Sequence, residues 1–208
     1  MAVVGIVPAA GRGERLGGEL PKAFAVCAGR PLIDWSLDVL ASVCDRVVVA
    51  VPPGYEAEPD RVTGGASRSE SVRAALAAAP EATVAVVHDA ARPLVTRELV
   101  EACIAALGDG VDGAVAAAPV SDTIKESSDD GRVVRTLDRA RLWAIQTPQV
   151  FVADVLRRAL EAGDLSAATD DASLVEAQGG AIRVVEAPPE NIKVTSRVDL
   201  ALAEALLC

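Results

Sequence analysis

Five short aliphatic runs, at residues 3–7, 46–51, 83–87, 113–117 and 181–185, alternate with stretches of helical periodicity along this chain. That alternation is the strongest constraint on the fold. Each run is too short for a helix and suits a strand buried on both faces of a parallel sheet. Helical patterns at 32–43, 69–79, 97–107, 152–161, 171–178 and 197–207 supply the cover. Several starts carry capping signals: Ser67 with Glu70 and Ser196 with Asp199 have capping-box spacing, and Thr96 and Thr169 stand where N-caps belong. The reading is an α/β fold with a largely parallel sheet, flanking helices and right-handed crossovers. Only 2% of residues are aromatic, so Val, Ala, Leu and Ile must fill the core. A chain of 208 residues is expected to form one domain.

One stretch breaks the alternation. Residues 120–141, VSDTIKESSDDGRVVRTLDRAR, are two polar, β-leaning segments around an SSDDG turn. They read as a hairpin too polar on both faces for the central sheet. Pattern alone leaves it as a solvated flap or as an arm reaching a substrate or another subunit.

Charge and cysteine usage narrow the function. A net charge of −10 argues against a nucleic-acid or anionic-membrane partner, so an anionic substrate needs a locally positive pocket. Cys27, Cys44, Cys103 and Cys208 show no CxxC spacing and accompany a single histidine, His88. They read as small buried hydrophobes in a reducing compartment, not as a zinc site or a disulfide framework. With no apolar run of membrane-spanning length and no secretory signal pattern, a cytoplasmic protein is expected.

Ligands of open α/β sheets bind beyond the carboxyl ends of strands, which directs attention to the loop after the first run. It reads AAGRGERLGGELPK. A Walker A loop is excluded because no Gly-Lys pair occurs, and a dinucleotide fingerprint fails where Leu16 follows Gly11 and Gly13. What remains is A-A-G-x-G-x-R followed by Pro21-Lys22. Glycines there let backbone N–H groups approach a phosphate. Arg15 and Lys22 could stabilise the charge of a transferring phosphoryl group, the alternative being a solvated turn with incidental cations. Only three of the 20 basic residues are lysines, Lys22, Lys125 and Lys193, and each falls in a segment singled out on other grounds.

Three further segments bear on chemistry. GGASRSESV (64–72) joins a Gly-Gly turn to a capped helix start, suited to a base edge or an anion, or simply to an ordinary cap. HDAARP (88–93) sets Asp89 at a strand end, as a metal ligand or a partner for substrate hydroxyls. His88 reads as structural, because adjacent strand residues face opposite ways and no nucleophile is paired with it. ENIKVTS (190–196) places Lys193 just before a capped helix, and IQTPQVF (145–151) reads as a turn entering a helix.

These segments, with DTIK, LDRARLW and TDDAS, occur in the order found in 2-C-methyl-D-erythritol 4-phosphate cytidylyltransferases, and the chain resembles that family along nearly its whole length. The resemblance implies a Rossmann-like nucleotidyltransferase fold and transfer of a cytidylyl group from CTP to the sugar phosphate. Pyrophosphate is released, in the non-mevalonate route to isoprenoid precursors. It implies catalytic roles for Arg15, Lys22, Arg139 and Lys193. CTP contacts fall on Ala9, Ala10, Gly11, Gly13, Gly65 and Ser71, and sugar-phosphate contacts on Asp89, Arg92, Thr123, Arg139 and Lys193. Mg2+ would be held mainly by the CTP phosphates, with Asp89 as the candidate protein ligand. The hairpin would be a dimer arm carrying Thr123 and Arg139 into the partner's site, making the protein a homodimer. Ribitol-5-phosphate and other sugar-phosphate cytidylyltransferases are the nearest alternative. Departures from the family are few: Leu16 where methionine is common, Ala23 where a polar residue is common, and Ala66 where some members carry an acid.

Overall fold

The computed structural model describes residues 1–11 and 21–208. In chain order its strands are β1 (Val3–Pro8), β2 (Val26–Cys27), β3 (Arg30–Pro31), β4 (Arg46–Val51), β5 (Arg61–Thr63), β6 (Val84–Val87), β7 (Gly113–Pro119), β8 (Lys125–Ser127), β9 (Val133–Thr136), β10 (Trp143–Val152) and β11 (Ile182–Glu186). The helices are α1 (Leu32–Ala41), α2 (Arg68–Ala77), α3 (Arg97–Ala105), α4 (Ala153–Ala162), α5 (Asp171–Ala177) and α6 (Arg197–Leu207).

Seven strands form one sheet in the order β11-β7-β10-β6-β1-β4-β5. All five aliphatic runs are in it, as expected. Every neighbouring pair is parallel except the two made by β10, which runs antiparallel to β6 and β7. Side chains alternate across the sheet. Val4 and Ile6 of β1 join a core layer under α2, α4 and α5, while Val3 and Val7 join the opposite layer with α1 and α3. Both faces are therefore covered, which is why the runs are continuously apolar.

β10 corrects the sequence reading, which made residues 145–151 a turn. Pro148 cannot donate a ladder hydrogen bond, and the β10–β7 register shifts between Ile145 and Gln149, where it sits. The polar Gln146, Thr147 and Gln149 further hide the strand, because they are recruited to a site at its edge. The short edge strand β5 was not anticipated either.

Caps follow the sequence closely. Ser67–Glu70 and Ser196–Asp199 both form reciprocal capping boxes, and Thr96 caps α3. The cap of α5 is Asp170, not Thr169: its carboxylate accepts the Ser173 N–H at 2.9 Å. The expected hairpin is present as β8 and β9, an exposed antiparallel pair outside the main sheet. Cys27, Cys44 and Cys103 are buried as expected, whereas Cys208 is exposed at the chain end.

Topology locates the crevice. From β1 the chain runs outward to β4 and β5, then returns to β6 on the other side of β1. The order reverses between β1 and β6, so the loops after these strands flank a switch point.

Candidate active site

The loops beyond β1 and β6 and the start of α2 enclose a cavity of about 380 Å3, lined by Ala9, Ala10, Gly11, Lys22, Gly65, Ser71, Asp89 and Lys193 among others. Small residues are required on one wall. A Cβ on Gly64 would lie 2.4 Å from the Ala10 Cβ, and one on Gly65 would lie 2.3 Å from the Glu70 Cβ. Ser71, at the end of the first turn of α2, fixes that wall: its hydroxyl accepts the Gly65 N–H at 3.1 Å and donates to the Ser67 carbonyl at 3.0 Å. The N-terminus of α2 thus faces the cavity with its partial positive charge.

A second cavity, about 500 Å3, lies beside the first and is lined by Arg92, Gln146, Thr147, Gln149, Thr169 and Asp170 among others. The two share Arg68, Asp89 and Lys193. Asp89 accepts Arg68 Nε on Oδ1 at 3.0 Å and Lys193 Nζ on Oδ2 at 2.6 Å. Arg68 Nη1 also reaches Asp171 Oδ2 at 2.5 Å. Burial opposes the charge on Asp89, but Arg68 and Lys193 outweigh it and hold the carboxyl well below the usual range. Burial likewise opposes the charge on Arg68, yet Asp171 and Asp89 keep it firmly protonated, above its ordinary value. Asp171, wholly enclosed, is pushed upward by burial despite Arg68.

Three distant segments lock together around this cluster. Asn191 accepts Arg92 Nη1 on its carbonyl at 2.7 Å, while its side-chain amide donates to Gln146 Oε1 at 2.7 Å and to the Thr147 carbonyl at 3.0 Å. The Val194 N–H donates to the Ala91 carbonyl at 2.8 Å. The Asp89 N–H donates to Thr147 Oγ1 at 3.1 Å. His88 has the structural role read from sequence. Its Nε2 is 3.2 Å from the Arg92 carbonyl, which can only accept, so Nε2 carries the proton and Nδ1, at 3.2 Å, accepts from the Thr147 hydroxyl. Burial lowers its pKa to about 4, against the pull of Asp89. A neutral, fully used imidazole has no capacity left for base catalysis.

The structure brings together Ala9, Ala10, Gly11, Lys22, Gly65, Ser71, Asp89, Arg92 and Lys193 around the paired cavities. Arg15 and Gly13 lie outside the described residues. Thr123 and Arg139 line neither cavity; both are exposed at the base of the hairpin, where Arg139 donates to the Ser121 carbonyl. Lys125 is also on the hairpin, exposed, donating to Thr136 Oγ1 at 2.7 Å. Sequence reasoning missed Arg68, Thr147, Gln149 and Asp171 as site residues.

Other chemistries find little support in the described residues. Burial pushes the Cys44 and Cys103 thiols up to about 12, leaving them protonated and inert at neutral pH. No three His, Cys, Asp or Glu side chains there converge as a metal cage. Asp89 fits poorly as a lone metal ligand, because both of its oxygens already hold cations. Larger cavities of about 570 and 620 Å3 lie on helix surfaces, but neither contains the Arg68–Asp89–Lys193 cluster. No helix among the described residues is long and apolar enough to cross a membrane.

Comparison with known proteins gives one consistent answer. Residues 3–208 match the family model described as IspD: 2-C-methyl-D-erythritol 4-phosphate cytidylyltransferase. A protein of that name from Frankia casuarinae is 46% identical over 99% of this chain and 81% of its own length. Another from Saccharopolyspora erythraea is 45% identical over 100% of both chains. The crystal structure of 2-C-methyl-D-erythritol 4-phosphate cytidylyltransferase from Thermus thermophilus superimposes with a TM-score of 0.82 at 37% identity, covering 99% of this chain and 98% of that one.

Proposed function

The chain belongs to the 2-C-methyl-D-erythritol 4-phosphate cytidylyltransferase family, and from that premise we propose how its residues divide the work. It transfers a cytidylyl group from CTP to 2-C-methyl-D-erythritol 4-phosphate, with 4-diphosphocytidyl-2-C-methyl-D-erythritol and pyrophosphate as products, in isoprenoid precursor biosynthesis. The observation that carries the division is the pair of cavities with Arg68, Asp89 and Lys193 as their common wall. Two anionic substrates fit such a site with their reacting ends meeting at the shared cations.

CTP occupies the cavity beyond β1, its base and ribose against Ala9, Ala10, Gly65 and Ser71 and its phosphates against the Gly11–Gly13 backbone, Arg15 and Lys22. The sugar phosphate occupies the second cavity near Asp89, Arg92 and Lys193. Arg92 suits it: the guanidinium is nearly enclosed, and its Nε has no partner. A phosphate oxygen of the sugar substrate attacks the α-phosphorus of CTP in line, and the bond to the β-phosphate bridging oxygen breaks. The attacking monoester is already an anion, so no protein nucleophile or general base is needed. Catalysis consists of positioning and of charge stabilisation by Lys22, Arg15 and Lys193. Mg2+ would be held by the CTP phosphates and would neutralise part of their charge; Asp89 stays paired with Arg68.

The whole chain acts as one nucleotidyltransferase unit whose arm, at about 120–141, completes a homodimer in the cytoplasm. The arm contributes Thr123 and Arg139 to the partner's site, which accounts for their distance from the cavities of their own chain. Pyrophosphate release in the presence of Mg2+ tests the activity. CTP, UTP, ATP and GTP are crossed with methylerythritol phosphate and ribitol 5-phosphate. Release confined to CTP with methylerythritol phosphate is expected; release with ribitol 5-phosphate instead would overturn the acceptor assignment.

A further inference from the structure

Asp171 lines neither cavity, yet it is the most enclosed member of the charge cluster. It sits at the first position of α5 with 0% exposure, its Oδ2 on Arg68 Nη1 at 2.5 Å and its Oδ1 without a hydrogen-bond partner. A carboxylate buried this fully is tolerated only while a cation stays beside it. Arg68 is that cation, so it cannot leave without stranding Asp171. The site of the pin is itself fixed. Gln149 on β10 donates to Asp170 Oδ2 at 2.9 Å and accepts the Ala172 N–H at 3.3 Å, tying the first turn of α5 to the sheet.

The opposite edge of the same guanidinium donates to Asp89 Oδ1, and a planar fork held at one end is oriented at the other. The two partners of Asp89 are therefore unequal. Arg68 is pinned from behind by a buried acid. Lys193 is a point charge on a flexible stem, its side chain 41% exposed, and able to exchange a carboxylate for a phosphate.

We infer that Asp171 is a positioning residue for cytidylyl transfer: acting through Arg68, it holds the Asp89 carboxylate in place when Lys193 moves from that carboxylate to a substrate phosphate. Asp89 stays oriented at the step in which its other cation departs. Without the pin, Arg68 follows the incoming phosphate, since a guanidinium fork binds phosphate as well as carboxylate, and Asp89 loses both partners. The inference rests on the assignment of Asp89 and Lys193 to the sugar phosphate, and the test separates the two.

Steady-state kinetics, with each substrate varied in turn, is run on Asp89→Asn, Asp171→Asn, Arg68→Met and the Arg68→Met/Asp171→Asn double variant. Circular dichroism establishes that each is folded. Asp171→Asn is expected to raise KM for the sugar phosphate about tenfold, the lower end for loss of a residue that orients a site group, with a smaller change in KM for CTP. In the Arg68→Met background the same change is expected to add nothing, because its route to Asp89 is already cut. Arg68→Lys keeps a charge beside Asp171 but cannot bridge two carboxylates. It is expected to give the same selective rise, and it carries the test where Asp171→Asn lowers the yield of folded protein. A role confined to folding would reduce the active fraction and leave both KM values alone. That outcome overturns the inference, as does a full-sized Asp171→Asn effect in the Arg68→Met background. If Asp89→Asn raises the sugar-phosphate KM and neither Asp171→Asn nor Arg68→Lys does, the inference alone fails. If Asp89→Asn leaves it unchanged, the assignment of Asp89 fails and the inference falls with it.

Discussion

His88 should make this protein's stability fall between neutral pH and pH 5, and the size of the loss follows from its surroundings. The imidazole is fully buried, with one nitrogen donating to the Arg92 carbonyl and the other accepting from Thr147. Its pKa is lowered from 6.5 to about 4 in the folded protein, chiefly by burial. The unfolded chain therefore binds more protons across that interval. Stability rises with pH through the window and is lost as pH drops from 6.5 towards 4. Applying linkage to those two values gives a loss of about 2 kcal/mol between pH 7 and pH 5, and about 3 kcal/mol once the titration is complete. Carboxylates held below their ordinary values, such as Asp89, lose stabilisation only at lower pH, and Asp171, with its raised pKa, titrates in the opposite sense. Both are common to wild type and a His88→Gln variant, so they largely cancel in a comparison. Urea unfolding followed by tryptophan fluorescence at pH 7, 6 and 5 would measure the difference. With a slope of about 2 kcal/mol per molar urea, the wild-type midpoint should drop by about 1 M more than that of His88→Gln. Parallel curves for the two proteins would refute the neutral, buried imidazole.

Three further perturbations address the nucleotide wall, its lysine and the arm. Gly64→Ala sets a Cβ 2.4 Å from the Ala10 Cβ and 2.9 Å from Ser71 Oγ, so the wall must shift. CTP affinity, measured by titration calorimetry, should fall about tenfold, the low end of overpacking costs, and an unchanged affinity would contradict the placement of the nucleotide there. Lys22→Ala should lower kcat by roughly 10²–10³, as for loss of a group that stabilises transition-state charge. Mixing that variant with an inactive Arg139→Ala chain should restore turnover, because a hybrid dimer then holds one site with an intact cavity and an intact arm. Absence of recovery from a demonstrated hybrid would mean that the arm does not serve its partner.

Local features were legible in the sequence and distant pairings were not. Continuous aliphatic runs announce strands buried on both faces, and Ser67–Glu70 and Ser196–Asp199 announce helix starts, because each depends only on residues within one turn or one strand. The α5 cap slipped by one position because Thr169 and Asp170 are both capping types and only the backbone path distinguishes them. β10 was hidden by its own function. Gln146, Thr147 and Gln149 interrupt its apolar pattern in order to hold Asn191, Asp89 and the start of α5.

Arg68 is the instructive omission. Its acidic partners, Asp89 and Asp171, lie 21 and 103 residues away, so no window along the chain contains the cluster. Yet the sequence did carry a signal. Arg68 directly follows the Ser67 cap, putting a guanidinium at the positive end of α2, where the helix dipole disfavours it. A cation at that position needs compensating acids from elsewhere in the fold. Two candidates were already visible: Asp89 at the end of an aliphatic run, and the paired acids of TDDAS. What the sequence could not supply is the order of the links. Only the fold sets Arg68 between a carboxylate that lines both cavities and one that lines neither, and that arrangement extends the site beyond its walls.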